Sequence, residues 1–200
     1  MLEVINLNFD YSDKLLLQDV QFSVADGTLL HLRGANGAGK TTLLKLLAGI
    51  LLPGYGDIRY QGVSIQDDLA AYQHQICYVG HKAGVSLCLT VRENCQFELK
   101  STVDATRITE LLQLLSLHGL QDTLCGLLSM GQLRRVGLLR LLMSEASLWL
   151  LDEPLVALDQ QAVTLLMSSL TDHLAQSGQV VLTSHQSLPL TAGHVQEYYL

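Results

Sequence analysis

Gly34-Ala35-Asn36-Gly37-Ala38-Gly39-Lys40-Thr41 fits the pattern G-x-x-x-x-G-K-[ST] at every fixed position. It follows a short apolar run, Leu29 to Leu32, that reads as a buried strand. It precedes Leu43, Leu44, Leu46, Leu47, Ile50 and Leu51, whose three- and four-residue steps predict a helix closed by Gly49 and Pro53-Gly54. A glycine-rich loop between strand and helix curls so that successive N–H groups face inward, and the helix opening at Lys40-Thr41 adds the positive end of its dipole. Lys40 reaches the β- and γ-phosphates of a bound nucleotide. Thr41 offers a hydroxyl to Mg²⁺, and Thr42 supports the same phosphates. Nucleoside triphosphate binding follows from this segment alone.

A second strand carries acids. Leu148-Trp149-Leu150-Leu151 is apolar throughout and runs into Asp152-Glu153, with Pro154 stopping it. The carboxyl end of a buried strand delivers its last residues into the crevice where ligands of open α/β sheets bind. Asp152 is expected to hold Mg²⁺ through water. Glu153 is expected to face the γ-phosphate and orient or deprotonate the attacking water.

Around these two segments the chain changes rhythm. Leu2 to Leu7 reads as a strand, and Leu16 to Val24 alternates until the turn signal Ala25-Asp26-Gly27. From Thr90 to Met143 the pattern is mostly helical, with Ile108, Leu111, Leu112, Leu114 and Leu115 on one apolar face and Val136, Leu139, Leu142 and Met143 on another. An α/β pattern then returns: a strand at Leu148 to Leu151, a helix from Gln160 to Leu174, a strand at Val180 to Thr183, and a closing strand at Val195 to Tyr199. Buried strands separated by helices imply a largely parallel sheet covered on both faces, with an inserted helical lobe.

Composition excludes several classes. The 200 residues are 48% hydrophobic and only 16% charged, so global disorder is excluded and one sizeable core is expected. Mean hydropathy is +0.28, which suggests apolar surface reserved for a partner. No apolar stretch reaches the ~18–20 residues of a membrane-crossing helix. The net charge of −7 and the absence of a basic run argue against nucleic acid as a partner. The four cysteines, Cys77, Cys88, Cys95 and Cys125, form no C-x-x-C pair and fit no zinc spacing, so buried reduced thiols are expected. Met1 to Tyr11 lacks the basic start and apolar middle of a signal peptide, and export is not expected.

Leu128-Ser129-Met130-Gly131-Gln132, shortly before the acidic strand and opening a helix, resembles the L-S-G-G-Q signature of ABC ATPases. Together with the loop and the carboxylate pair, the resemblance covers nearly the whole chain in the right order. It implies an α/β fold with a P-loop nucleoside-triphosphatase core, an antiparallel β subdomain and an inserted helical subdomain. Residues 1–89 and 145–200 would form the core and β subdomain, and 90–144 the helical one. It also implies ATP and Mg²⁺ as ligands and ATP hydrolysis as the activity. By position, Tyr11 resembles the aromatic that stacks on adenine. Val156-Ala157-Leu158-Asp159 resembles the D-loop, and His185 in Thr183-Ser184-His185 the switch histidine at the γ-phosphate. In that family, the signature helix of one subunit points at the γ-phosphate held by another. Ser129, Gly131, Gln132 and Asp159 would then serve a second copy's nucleotide, in a homodimer with two composite sites.

Two positions depart from the pattern. Met130 replaces the first signature glycine, so its side chain must point away from phosphate while Gly131 still permits close approach. Gly80-His81 stands where a glutamine normally senses Mg²⁺ after the Tyr78-Val79 strand. His81 is open to two readings, a ligand to a metal-bound water or a structural residue. Gly80-His81, Leu148-Trp149 and Thr183-Ser184-His185-Gln186 together resemble the ATP-binding subunits of cytochrome c maturation systems. That resemblance implies small integral membrane partners, a peripheral place on the cytoplasmic face of a bacterial inner membrane, and hydrolysis linked to haem export or to release of a haem-loaded chaperone. The alternative is a subunit of another short bacterial exporter, for lipid, drug or lipoprotein. Direct haem binding is not expected, because C-x-x-C-H is absent. The stretch from Gly80 to Phe97 borders the membrane-partner groove in the family. Val85, Leu87 and Leu89 alternate there outside an obvious core pattern, either as an exposed partner surface or as an ordinary packed loop.

Overall fold

Alternating apolar residues at the amino end build an antiparallel sheet. The computed structural model describes residues 1–11, 14–82, 84–98, 105–185 and 195–200. Ala83 and Gln186, which fall in stretches read above, lie outside the described residues. Strand β1 (Leu2–Tyr11) pairs with β2 (Lys14–Val24) and with β4 (Tyr55–Tyr60), and β4 with the short β5 (Val63–Ser64). Leu2, Val4, Leu7 and Phe9 of β1 face the interior with Leu17, Val20, Phe22 and Val24 of β2. The inward period slips by one residue in each strand. Asn6 and Asp19 take left-handed backbone conformations at these register shifts, which return Leu7 and Val20 to the buried face.

The second sheet is parallel throughout, in the order β6 (Ile76–Val79), β7 (Leu148–Asp152), β8 (Gln179–Thr183), β3 (Leu29–Arg33), β9 (Val195–Tyr199). Its strands are apolar because both faces are covered. Leu148 and Leu150 of β7 pack on one side with α1 (Lys40–Leu47) and the antiparallel sheet. Trp149 and Leu151 pack on the other with α3 (Val91–Glu98), α4 (Ala105–Leu114), α5 (Met130–Leu142) and α6 (Gln160–Ala175). Helix α1 lies between the two sheets, so Thr42, Leu43, Leu44, Leu46 and Leu47 are all buried and the helix is apolar on most of its circumference. A short α2 (Leu69–Gln73) leads into β6.

Three expectations need correction. Of the four cysteines expected to be buried, Cys77, Cys95 and Cys125 are, but Cys88 is exposed. The apolar period predicts α1 as far as Leu51, but the helix stops at Leu47. Gly49 turns left-handed, and the N–H groups of Gly49 and Ile50 close back onto the carbonyls of Leu46 and Lys45. Ile50 is left exposed. In α4, Ile108, Leu111 and Leu112 are buried together with Leu115, but Leu114 is 44% exposed because the helix has only one covered face. Helices α3, α4 and α5 occupy the chain between β6 and β7, and α5 packs on β6. Their buried residues share a core with Trp149 and Leu151. No helix among the described residues is long and apolar enough to cross a membrane.

Because all the strands of this sheet run the same way, the ends of β3, β6, β7 and β8 fall along one edge. Leu150 is fully buried on β7, with a paired strand on either side. Leu150→Ala is expected to destabilise the chain by about 2–5 kcal/mol, measured as a lowered midpoint in urea denaturation.

Candidate functional site

The loop after β3 wraps round the first turn of α1. Gly39 precedes the helix with φ of 103°, and a Cβ there would lie 2.7 Å from the Leu17 side chain, so only glycine fits this turn without displacing it. The Lys40 ammonium bends back over the loop, donating to the carbonyls of Gly34 at 2.8 Å and Ala35 at 3.0 Å. It is thereby held above the inward-facing part of the loop.

The acidic strand meets this loop through hydroxyls. Asp152 is buried at the end of β7. Its Oδ2 accepts from Thr41 Oγ1 at 2.9 Å, and its Oδ1 accepts from Thr183 Oγ1 at 2.9 Å. The Thr183 hydroxyl in turn accepts from the Glu153 N–H at 2.9 Å. Glu153 Oε1 is shielded from solvent, has no hydrogen bond, and lies 3.5 Å from His185 Nε2. Beside them, the Tyr78 hydroxyl is pushed up to about 12 by burial and by the negative charge of Asp152. It therefore stays protonated at neutral pH.

These groups line one cleft of about 430 Å³, the size of a small-molecule site. Its walls include Asn36, Gly37, Gly39, Lys40, Thr41 and Thr42 from the loop and helix, Asp152 and Glu153 from β7, and both His81 and His185. Ten expected residues thus meet in one place. Leu16, which sequence reasoning did not single out, also lines it, as the apolar side of the cleft. The donor set suits Mg²⁺: a carboxylate and a hydroxyl, both oxygen, beside an open cleft with room for phosphates and water. Thr41 and Asp152 are the residues that would hold it. His81 is exposed at the cleft wall, and its backbone carbonyl is taken by Arg134.

Other expected residues lie elsewhere. Tyr11, at the end of β1, is exposed and stands edge-on to Phe9 with ring centroids 4.8 Å apart. Ser129 caps α5 in a reciprocal box. Its Oγ accepts from the Gln132 N–H at 3.3 Å, while the Gln132 side chain accepts from the Ser129 N–H at 2.9 Å. Met130 is 78% exposed in the first turn of α5, and Gly131 sits beside the Ala157 carbonyl. Asp159 caps α6 and forms an ion pair with Arg135 at 2.6 Å. This second cluster, at the amino ends of α5 and α6, is not part of the chain's own cleft.

Two residues that matter here carry weak sequence signals. Thr183 merely ends an apolar strand, and Arg134 is one of two adjacent arginines on a helix. Arg134 is nevertheless buried and donates to four backbone carbonyls.

A family profile described as ABC transporter matches residues 17–156. The chain is 54% identical to the cytochrome c biogenesis ATP-binding export protein CcmA of Legionella pneumophila (strain Lens), over the full length of both. It is 39% identical to the protein of the same name from Yersinia pestis, over all of this chain and 93% of that one. Among solved structures, one titled as the ATP binding subunit of an ABC transporter superposes with a TM-score of 0.84 at 27% identity, covering 92% of this chain and 79% of the other. A putative ABC transporter ATP-binding protein from Pyrococcus furiosus superposes with a TM-score of 0.80 at 27% identity, covering 98% and 96%.

Thr183→Val removes one hydroxyl that serves both Asp152 and the Glu153 amide. The expected cost is about 1–3 kcal/mol of stability, read from chemical denaturation, because buried polar groups lose their partner.

Proposed function

The chain belongs to the ABC transporter family, and we propose that it is the ATP-hydrolysing subunit of a membrane complex for cytochrome c biogenesis. One observation carries the hydrolytic reading. A buried carboxylate, Asp152, is shared between the first turn of the phosphate-loop helix and the end of β8, with Glu153 beside it in the same cleft. The biogenesis role is supported by similarity along the whole chain to export proteins of that name.

In this reading, the loop amides from Gly34 to Gly39 and the Lys40 ammonium take the phosphates of ATP, with Thr42 in support. Thr41 and Asp152 are the residues that would hold Mg²⁺, which would supply neutralisation of phosphate charge. Glu153 accepts a proton from the water that attacks the γ-phosphorus, the bond from that phosphorus to the β–γ bridging oxygen breaks to release ADP, and His185 stands beside the carboxylate to steady the water and the transferred phosphoryl group. Tyr11 supplies a face for adenine. His81 lines the same cleft, where its imidazole would be the group to hydrogen-bond a water on the metal.

The site needs a second copy. Ser129, Gly131 and Gln132 lie outside their own cleft at the exposed amino end of α5, a helix terminus suited to phosphate oxygens. Two copies facing each other would give each cleft its missing wall, with Asp159 at the seam. The membrane partners are small integral proteins, and this chain attaches to them peripherally on the cytoplasmic side. Of Val85, Leu87 and Leu89, only Leu87 stands clear of the protein, at 55% exposed; Val85 packs against the core and Leu89 is half-buried. The Leu87 carbonyl accepts from the Gly126 N–H, next to the exposed Leu124 and Leu127. The apolar surface for a membrane subunit is therefore assigned to Leu87, Leu124 and Leu127 rather than to an alternating strand.

Lys40→Ala is expected to abolish ATP turnover in a phosphate-release assay. Glu153→Gln is expected to keep ATP bound and to elute as a stable dimer in gel filtration with ATP; normal hydrolysis by this variant would refute the mechanism. Leu87→Asp combined with Leu127→Asp is expected to lose copurification with the membrane subunits while retaining nucleotide binding.

A further inference from the structure

Arg134 lies on α5, five residues beyond the capping Ser129, and is only 6% exposed. Its Nη1 donates to the carbonyls of Gly80 at 2.9 Å and His81 at 3.1 Å. Its Nη2 donates to the carbonyls of Asp152 at 2.9 Å and Glu153 at 2.7 Å. One side chain of α5 therefore spans the segments that follow two neighbouring parallel strands, β6 and β7. The Arg134 Nε is buried without a hydrogen bond, so the group is satisfied only through these carbonyls. Burial pulls its pKa down and the charges of Asp152 and Glu153 push it back up; a guanidinium remains protonated in such a site.

The backbone of Glu153 explains what this arrangement is for. Glu153 has φ of +50°, a left-handed conformation that a residue with a Cβ adopts only at a cost. Such strain persists where the surroundings over-determine it. Two hydrogen bonds hold the peptide groups flanking Glu153. The Thr183 hydroxyl takes its N–H, and Arg134 takes its carbonyl. We propose that Arg134 is a positioning residue for hydrolysis. It holds Glu153 in its strained conformation and fixes the carboxylate and the His81 segment to the helix that carries Ser129. Where Ser129 approaches a nucleotide held by another copy, α5 and the hydrolytic carboxylate are thereby placed as one unit.

Arginine suits the task because its planar fork presents separate donors to two segments at once; an ammonium is a single point charge on a flexible stem. Lysine would keep the charge and lose the bridge. Glutamine would lose both.

This inference rests on the reading of Glu153 as the group that activates water, and the experiment separates the two. Arg134→Lys, Arg134→Gln and Glu153→Gln are prepared in the full chain. Each is measured for binding of a non-hydrolysable ATP analogue, for kcat and for KM. Both Arg134 variants are expected to bind the analogue and to keep KM within about threefold of the parent, while kcat falls. The expected fall is roughly 100-fold, the scale of misplacing a catalytic group by about 1 Å, and lysine is not expected to rescue it. If either Arg134 variant keeps the parent's kcat while Glu153→Gln abolishes turnover, the inference fails and the role of Glu153 stands. If Glu153→Gln turns over at the parent's rate, the role of Glu153 fails and the inference falls with it. If both Arg134 variants lose analogue binding, Arg134 supports the whole cleft rather than the carboxylate, and the inference is overturned.

Discussion

A carboxylate buried at the end of an apolar strand must be met by hydrogen bonds, and Asp152 imposes that requirement on the rest of the molecule. An unpaired buried charge would cost several kcal/mol or force protonation. Both of its oxygens are met by threonine hydroxyls, one 111 residues away in sequence on α1 and one 31 residues away at the end of β8. The first turn of α1, and with it the phosphate loop, is thereby set against the edge of the parallel sheet. The same Thr183 hydroxyl accepts the Glu153 amide, so the neighbouring carboxylate inherits its place from this one interaction.

The layers around this point follow from burial. The parallel sheet is covered on both faces, and alternate residues of β7 divide between two cores, Leu148 and Leu150 to one side and Trp149 and Leu151 to the other. Helix α1 can be apolar nearly all round because it lies between two sheets. Helix α5 belongs to the other core, and its amino end is free. The Ser129–Gln132 box and the Asp159–Arg135 pair satisfy the backbone and charges there without a ligand. A chain built this way carries a complete phosphate cradle and, at a separate place, a helix terminus that its own cleft does not use. Arg134, on the same helix, donates to the carbonyls of Gly80, His81, Asp152 and Glu153 at the ends of β6 and β7.

Much of this was legible in the residues alone. The strands at Leu29, Leu148, Val180 and Val195 are apolar runs bounded by turn residues, and each is found within a residue or two of the expected bounds. The residues expected around the phosphates meet in one cleft because each lies at the carboxyl end of a parallel strand or in the loop that follows it. Where sequence reading went astray, a local pattern was outweighed by the surroundings. The helical period runs on past Gly49, but a left-handed glycine ends the helix. Leu114 matches an apolar face that nothing covers. Of the two readings left open for Val85, Leu87 and Leu89, burial decides residue by residue: Val85 packs against the core, Leu89 is half-buried and Leu87 is exposed. Arg134 is one of two adjacent arginines that no local pattern distinguishes, and the packing of α5 on β6 buries it.

The sequence by itself determined the chemistry. Loop, lysine, threonine and paired acids are contiguous short patterns, each defined by the backbone freedom of glycine or by the end of an apolar run, and such patterns act over a few residues. The tertiary structure decided which of those groups touch. The sharing of Asp152 between two threonines, the left-handed backbone of Glu153 and the reach of Arg134 across two strand ends all depend on strand order and helix packing. Those are set by the burial of the whole chain, and no local stretch of residues contains them.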